Sequence, residues 1–485
     1  MEINIDQANL VYNFELIRKI TGYGKNVMPV LKADAYNIGV ENVVEPLLKL
    51  KTPQKNYCVF SLNEGINLRV KFSELDKIFV LSGIAKNEGK YFEKYKLIPV
   101  VCSCQQLRLC KKENITKIGI KFNTGMNRSG IELKDLNKVR KFVDDNKIKV
   151  LMVMSHFCCA DNIKSEVNEI QILNFEKIIK YFPEKSITRS FQASDAIVNF
   201  NLGYLCNACR PGLALYGYYK GFKPVYSIYS KICFDSKNFY MPFGIKNGMT
   251  SDYKNGYVFA DGKKIKVISI SDDKVILDIQ DKKYIDKKVE LLGKNISMQE
   301  FEKMTGTDIR DIVARLFTNI HKKDKNIVEF KKANATIKNG EFIDFYSKII
   351  EKRVVAKDGI VGYGATEKVK KGDKLAVFFG GYLDGLSGSI SNKKCHVFVE
   401  KKDKTFAKCE IFGKISMDQT IIKIKDEDYK DIKIAAKVII FDKEYPIEQF
   451  EKATGKSRAE LFFYLDKSNR VIVNHNKKRR NFFQK

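Results

Sequence analysis

The sequence predicts an α/β fold: an N-terminal (β/α)8, TIM-like barrel over 1–222, followed by a segment, 223–340, whose pattern returns in 341–485. Three observations carry this. Eight short apolar runs alternate with amphipathic stretches through the first 220 residues or so. Polar and charged groups cluster just after several of those runs. Four motifs of the C-terminal third occur earlier in the chain, in the same order.

The apolar runs are 27–31, 57–60, 78–81, 97–101, 118–122, 150–154, 187–191 and a weaker one at 205–210. Helical patterns at 41–49, 62–70, 105–112, 133–143 and 167–181 separate them. In the last, Val167, Ile170, Ile172, Leu173, Phe175, Ile178 and Ile179 recur at helical spacing and predict an apolar buried face. Strands alternating with helices imply a parallel sheet, closed as a barrel or open as a doubly wound sheet. Eight units favour the barrel.

Composition sets the outer bounds. At 485 residues, with 44% hydrophobic and 12% aromatic residues, the chain is too long for one ordinary core and too apolar for disorder. No apolar run is long enough to span a bilayer, and the first residues lack a signal-peptide pattern. The net charge of +29 invites a nucleic-acid reading. However, 73 of the 87 basic residues are Lys, spread along the whole chain, so no phosphate track stands out. The compact cluster Lys477-Lys478-Arg479-Arg480 reads as a solvated tail, or as a charged patch. Eleven Cys form no regular framework; Cys102-x-Cys104 and Cys206-x-x-Cys209 lack His at zinc spacing, so no metal site is expected. Reduced cysteines point to the cytosol.

Barrel chemistry sits where strands end. Lys32 follows the first run, with Ala33-Asp34-Ala35-Tyr36 after it. Asn123 to Arg128 follow the fifth, Ser155-His156-Phe157 the sixth, Ala193-Ser194-Asp195 the seventh and Arg210-Pro211-Gly212 the eighth. Taken singly, such a Lys is commonly a surface residue, a His a satisfied core group and an Arg an ion-pair partner. Their convergence on one mouth suits a phosphorylated aldehyde cofactor: an amine to bind the aldehyde, small residues and hydroxyls to cradle the phosphate.

At these residues the chain resembles the alanine racemase family of pyridoxal-phosphate enzymes. The resemblance rests on Val30-Leu31-Lys32-Ala33-Asp34-Ala35-Tyr36, Lys121-Phe122-Asn123-Thr124-Gly125-Met126-Asn127-Arg128, Ser155-His156-Phe157, Arg210-Pro211-Gly212-Leu213-Ala214-Leu215-Tyr216-Gly217, Gly362-Tyr363-Gly364-Ala365-Thr366, Gly381-Tyr382-Leu383-Asp384-Gly385 and Ser416-Met417-Asp418-Gln419. It implies one β-rich domain after the barrel; the internal repeat adds a second, so two tandem β-rich domains are expected, 223–340 as a degenerate copy of 341–485. It also implies an isomerase that interconverts L- and D-alanine for peptidoglycan with pyridoxal 5'-phosphate. By that resemblance Lys32 carries the cofactor and is one base, and Tyr382, from a partner protomer, is the other. Tyr36, Ser194, Gly212 and Leu213 hold the phosphate, His156 lies against the ring and Arg210 faces its nitrogen. Arg128 takes the substrate carboxylate, propped by Lys121, a position carboxylated in some members. Met417 and Asp418 approach from the partner of a homodimer with shared sites. No nucleic acid or membrane partner is implied.

Some features depart from the family. The seventh run ends Ala193-Ser194-Asp195-Ala196 where an Asn is common, and Ser468-Asn469-Arg470-Val471 replaces a conserved-type Arg-Val-Pro-Arg. A racemase of another amino acid such as serine, and a non-catalytic cofactor-binding paralogue, therefore stay open. In the repeat, Tyr229-Ser230-Lys231-Ile232 matches Tyr346-Ser347-Lys348-Ile349, and Phe243-Gly244-Ile245-Lys246-Asn247-Gly248 matches Gly380-Gly381-Tyr382-Leu383-Asp384-Gly385. Ile270-Ser271-Asp272-Asp273-Lys274 matches Ile415-Ser416-Met417-Asp418-Gln419, and Phe301 to Gly306 matches Phe450 to Gly455. The earlier copy has Ile245 in place of a phenol and no counterpart of Gly362-Tyr363-Gly364-Ala365-Thr366, so it is expected to serve packing or assembly, or to block the usual dimer.

Overall fold

A computed structural model describes residues 2–22, 24, 26–316, 334–338, 341–392, 395–458 and 460–461. Lys477-Lys478-Arg479-Arg480 and Ser468-Asn469-Arg470-Val471 lie outside the described residues. The chain divides into two compact units, one of Met1–Glu329 with Gly359–Lys368, the other of Phe330–Asp358 with Val369–Lys485.

In the first unit the eight apolar runs are strands: β1 (Asn26–Val27), β2 (Asn56–Val59), β3 (Lys77–Val80), β4 (Leu97–Val101), β5 (Lys117–Asn123), β6 (Lys149–Met154), β7 (Thr188–Ala193) and β8 (Ala208–Arg210). They pair in parallel in chain order, and β8 pairs with β1. A parallel bridge between Val30 and Cys58 joins β1 to β2 and closes the barrel. Buried on both faces, such strands read as unbroken apolar runs. Met28, Val30, Cys58, Phe79, Ile98, Val100, Met152, Met154 and Ala208 form one core cluster.

The helices fall where the periodicity places them, with one correction. Helix Glu166–Tyr181 buries Phe175 and Ile178 of the apolar face expected of it but leaves Ile170 and Leu173 46% and 50% exposed. Its buried residues are Asn168, Gln171, Asn174, Phe175 and Ile178. The reason is polar satisfaction. Gln171 Nε2 donates to Thr124 Oγ1 (3.0 Å) and the His156 carbonyl (2.9 Å), and Asn174 Nδ2 to the Thr124 carbonyl (2.8 Å). These side chains supply donors to the Thr124 and His156 carbonyls and to the Thr124 hydroxyl, which also pairs with Ser155 Oγ at 2.8 Å.

The first unit also holds an antiparallel sheet built on 223–316, to which the N-terminal strand Glu2–Ile5 is added. The second unit holds a sheet in which strand Glu341–Val354 pairs with both Lys374–Phe379 and Lys437–Phe441, closing a six-stranded antiparallel barrel. The two share a strand order. Tyr226–Lys231, Lys288–Leu292, Tyr257–Ala260, Lys263–Ile270, Val275–Leu277 and Phe239–Met241 follow one another in the first. Glu341–Val354, Lys437–Phe441, His396–Glu400, Phe406–Ile411, Gln419–Ile424 and Lys374–Phe379 do so in the second. Register repeats too: Glu2 lies opposite Tyr229 as Asn334 lies opposite Tyr346.

Candidate active site

The mouth of the barrel is built strand end by strand end. Lys32 opens a run of left-handed backbone: Ala33, Asp34, Ala35, Tyr36 and Asn37 have φ of 56°, 49°, 55°, 60° and 64°. Left-handed turns cost an L-residue about 1–2 kcal/mol each, so something must hold this one. Glu64 does part of it. It closes the capping box of helix Leu62–Lys71 with Ser61, and its Oε1 accepts from the Ala33 amide at 3.0 Å. Asp34 Oδ1 accepts from the Val40 amide at 2.9 Å. The strained turn brings Tyr36 inward, 8% exposed, its ring 5.0 Å from that of Tyr216.

Opposite it, Ser194 Oγ accepts from the amides of Gly212 (2.9 Å) and Ala214 (3.1 Å). Among the described residues the intervening Leu213 amide has no hydrogen-bond partner. A Cβ on Gly212 would come within 2.4 Å of the Tyr36 hydroxyl oxygen, so only glycine lets that phenol approach. Tyr36, Ser194, Gly212 and Leu213, all named from the sequence, thus lie together.

Arg210, at the end of β8, is 3% exposed, and its partners are oxygens of neutral groups. It donates to the carbonyls of Ser190 (2.7 Å) and Ser155 (2.8 Å) and to Ser190 Oγ. His156 follows β6. Burial, and then the charges of Arg128, Arg210, Lys121 and Lys32, push its pKa well below the ordinary imidazole value, so the ring is neutral at pH 7. Arg128 sits on the loop after β5, which Asn123 ties down by accepting from the amides of Gly125 (3.2 Å) and Asn127 (3.0 Å). Lys121, 8% exposed, donates to Ser129 Oγ on the same loop.

A phenol to which the sequence assigns no role joins these groups. Tyr363 lies in the first unit, on the turn Tyr363–Ala365. Its hydroxyl is 3.0 Å from His156 Nε2, and the Arg128 guanidinium is 4.7 Å from its ring centre. Burial alone would raise the phenol's pKa. The charges of Arg128, Lys32 and Arg310, with a hydrogen bond from Arg128, outweigh burial and bring it down to about 8. Arg310, on helix Ile309–Leu316 of the earlier β-copy, is a second group with no expected role; its guanidinium is 5.4 Å from the Tyr363 ring. Close by, Tyr219 donates to Asp195.

Tyr382, Met417 and Asp418 are buried in the second unit. Tyr382 begins the short helix Tyr382–Asp384, and its amide donates to the Ser416 carbonyl at 3.3 Å. All eleven cysteines are free, and no His, Cys, Asp and Glu cluster among the described residues could hold a metal.

Known proteins match the same stretches. The alanine racemase N-terminal domain matches residues 5–220, and the alanine racemase C-terminal domain matches residues 342–473. The chain belongs to the alanine racemase family. The alanine racemase of Borreliella burgdorferi strain ZS7 is 28% identical over 348 residues, 62% of this chain and 91% of that one. That of Aquifex aeolicus is 27% identical over 361 residues, 67% of this chain and 98% of that one. Among solved structures, the alanine racemase from Bartonella henselae with covalently bound pyridoxal phosphate superimposes with a TM-score of 0.59 at 22% identity, covering 65% of this chain and 96% of that one. That from Clostridium difficile 630, complexed with cycloserine, gives 0.58 at 21%, covering 71% and 97%. At these identities the structures establish the fold. The alanine racemase domains leave residues 221–341 unmatched between them, which is where the antiparallel sheet of 223–316 lies.

Proposed function

We propose that this racemase-family chain interconverts L- and D-alanine with pyridoxal 5'-phosphate in the barrel mouth, supplying D-alanine for peptidoglycan from the cytosol. The pocket fits that cofactor. A buried guanidinium facing only neutral oxygens suits a pyridine nitrogen, and an amide without a partner beside two hydroxyls suits a phosphate. Lys32 would hold the group through its amine, and Tyr36, Ser194, Gly212 and Leu213 would hold its phosphate. The neutral His156 ring would lie against it. Bound there, the group would supply an aldehyde and a ring that draws electrons away from the substrate Cα.

The remaining chemistry belongs to the chain. Racemisation needs a proton removed from one face of Cα and returned to the other. Lys32 Nζ serves one face. The sequence expectation gave the other to Tyr382; the geometry of the first unit favours Tyr363. The observation that carries this is the Tyr363 hydroxyl, 3.0 Å from a neutral His156 and held near pKa 8 by Arg128, Lys32 and Arg310. A group poised near the working pH can both take and give a proton. Arg128 is then placed to take the substrate carboxylate. Arg210, which cannot readily release a proton, would face the cofactor's ring nitrogen without protonating it, which would disfavour side reactions such as transamination.

Chiral chromatography of L-alanine incubated with the protein and added pyridoxal phosphate tests this reading. Approach to equal amounts of both enantiomers is expected. No D-alanine from a chain that has bound the cofactor would overturn the substrate assignment.

A further inference from the structure

We infer that Arg310, carried by the segment that follows the barrel, is a cofactor-positioning cation: it offsets the carboxylate of Asp195 beside the groups that take the phosphate of pyridoxal 5'-phosphate. This rests on the cofactor reading above. It adds a residue that lies outside both stretches matched by the alanine racemase domains.

Asp195 creates the need. It follows Ser194 directly, and Ser194 Oγ accepts from the amides of Gly212 (2.9 Å) and Ala214 (3.1 Å). The groups proposed to hold the phosphate, namely Tyr36, Ser194 and the backbone at Gly212 and Leu213, are all neutral. A phosphate monoester carries about −1.5 to −2 charges near pH 7. A carboxylate on the next residue repels the group that these residues hold, and a half-buried site screens the repulsion less than water does. Burial sets the Asp195 carboxyl above its ordinary pKa. The hydrogen bond from Tyr219, and then the charge of Arg310, act the other way.

Arg310 reaches this place along an unbroken stretch of described chain, from Gly212 to helix Ile309–Leu316. That helix packs on Lys32–Tyr36, the turn that begins with the Lys32 amine and ends with the Tyr36 phenol. A second tie lies nearby: Tyr218, just after β8, donates to Glu302 Oε2 of helix Met298–Thr305 at 2.5 Å. Asp308 sets the guanidinium. Its Oδ1 accepts from the Arg310 amide (2.9 Å) and Nε (2.7 Å), and its Oδ2 from Nη2. Of the five N–H donors of an arginine, Asp308 thus takes those along one edge. The charge is felt on the barrel side, where it favours the ionised forms of Asp195, Tyr218 and Tyr219.

Arg310 therefore stands among carboxyls: Asp195, Glu302 and Asp308. Remove it, and an incoming phosphate meets those acids without the cation that offsets them. At an effective dielectric of about 20, a unit charge about 8 Å away changes an anion's binding roughly 30-fold.

The test titrates the full chain with pyridoxal 5'-phosphate and, separately, with pyridoxal, which has the aldehyde but no phosphate. Binding is read from the visible absorption of the bound aldehyde, without turnover. Arg310→Ala should weaken pyridoxal 5'-phosphate about 10- to 100-fold and pyridoxal less than about threefold. In an Asp195→Ala background the same change should cost several-fold less, because the charge it offsets is gone. Equal losses for the two aldehydes, or an equal loss with and without Asp195, would overturn the inference and leave Arg310 a residue that only fixes its helix. Asp195→Asn keeps shape and needs no change at Arg310. It should tighten pyridoxal 5'-phosphate but not pyridoxal, and unchanged binding of both would also overturn the inference. A wild-type chain that binds neither aldehyde would sink the cofactor reading, and this inference with it.

Discussion

The two antiparallel β-sheets, one built on 223–316 and one in the second unit, share a strand order and differ in what their turns present. In the earlier copy the amides of Ile245 and Lys246 donate to the carbonyls of Ser271 (3.1 Å) and Asp272 (2.9 Å). In the later one Tyr382 and Leu383 donate to Ser416 (3.3 Å) and Met417 (3.2 Å). Gly244 and Gly381 head these turns, each amide capped by the side chain three residues on, Asn247 or Asp384. The helices Met298–Thr305 and Glu448–Thr454 both end on a left-handed glycine, Gly306 and Gly455. What differs is the side chain the turn presents and the excursion Gly359–Lys368, which only the later copy makes. The turn is therefore a requirement of the β-fold and survives without chemistry, so a match to it is not evidence of a catalytic residue. Tyr363, outside the repeated scaffold, is the better candidate.

Perturbing the two regions should separate these roles. Lys32→Ala should give the largest effect, loss of racemisation in both directions with the fold intact by circular dichroism. Gly244→Ala and Gly381→Ala should cost stability alike, about 1–3 kcal/mol in urea unfolding, because a Cβ would come within 2.2 Å of the Ser271 carbonyl or 2.0 Å of the Ser416 carbonyl. A large cost at one and none at the other would break the equivalence of the copies. Gln171→Met leaves the Thr124 hydroxyl and the His156 carbonyl short of a donor, and should cost about 1–3 kcal/mol with a lowered kcat. With the cofactor saturating, the smallest effect is expected from Arg310→Ala. Removing a cation that favours the phenolate raises the phenol's pKa. In the direction where Tyr363 accepts the proton, the pH–rate limb near 8 should therefore move upward, by about half a unit at this separation.

Much of this was legible in the sequence because barrel strands, buried on both faces, announce themselves as apolar runs with functional groups at their ends. Lys32, Tyr36, Arg128, His156, Ser194, Arg210 and Gly212 could be read that way. Three things could not. The left-handed run Ala33–Asn37 contradicts the preferences of its own residues and is held in part by Glu64 and Asp34, contacts that local pattern does not show. The inward face of helix Glu166–Tyr181 mixes Phe175 and Ile178 with Asn168, Gln171 and Asn174, and a count of apolar spacing cannot find those three polar residues. Tyr363 and His156 are 207 residues apart in sequence, a separation that local pattern cannot bridge. The signal that could have found Tyr363 was its motif's absence from the earlier copy: a segment present only in the later copy is not needed for the shared scaffold.

The account turns on which phenol carries the proton. The most direct measurement is kcat for alanine racemisation, by chiral chromatography in both directions, in Tyr363→Phe and Tyr382→Phe with saturating pyridoxal phosphate. The account predicts a loss of about 10²–10⁴ for Tyr363→Phe and less than about tenfold for Tyr382→Phe. The reverse ranking would contradict it, returning the second base to Tyr382 and reducing the Tyr363–His156 contact to packing.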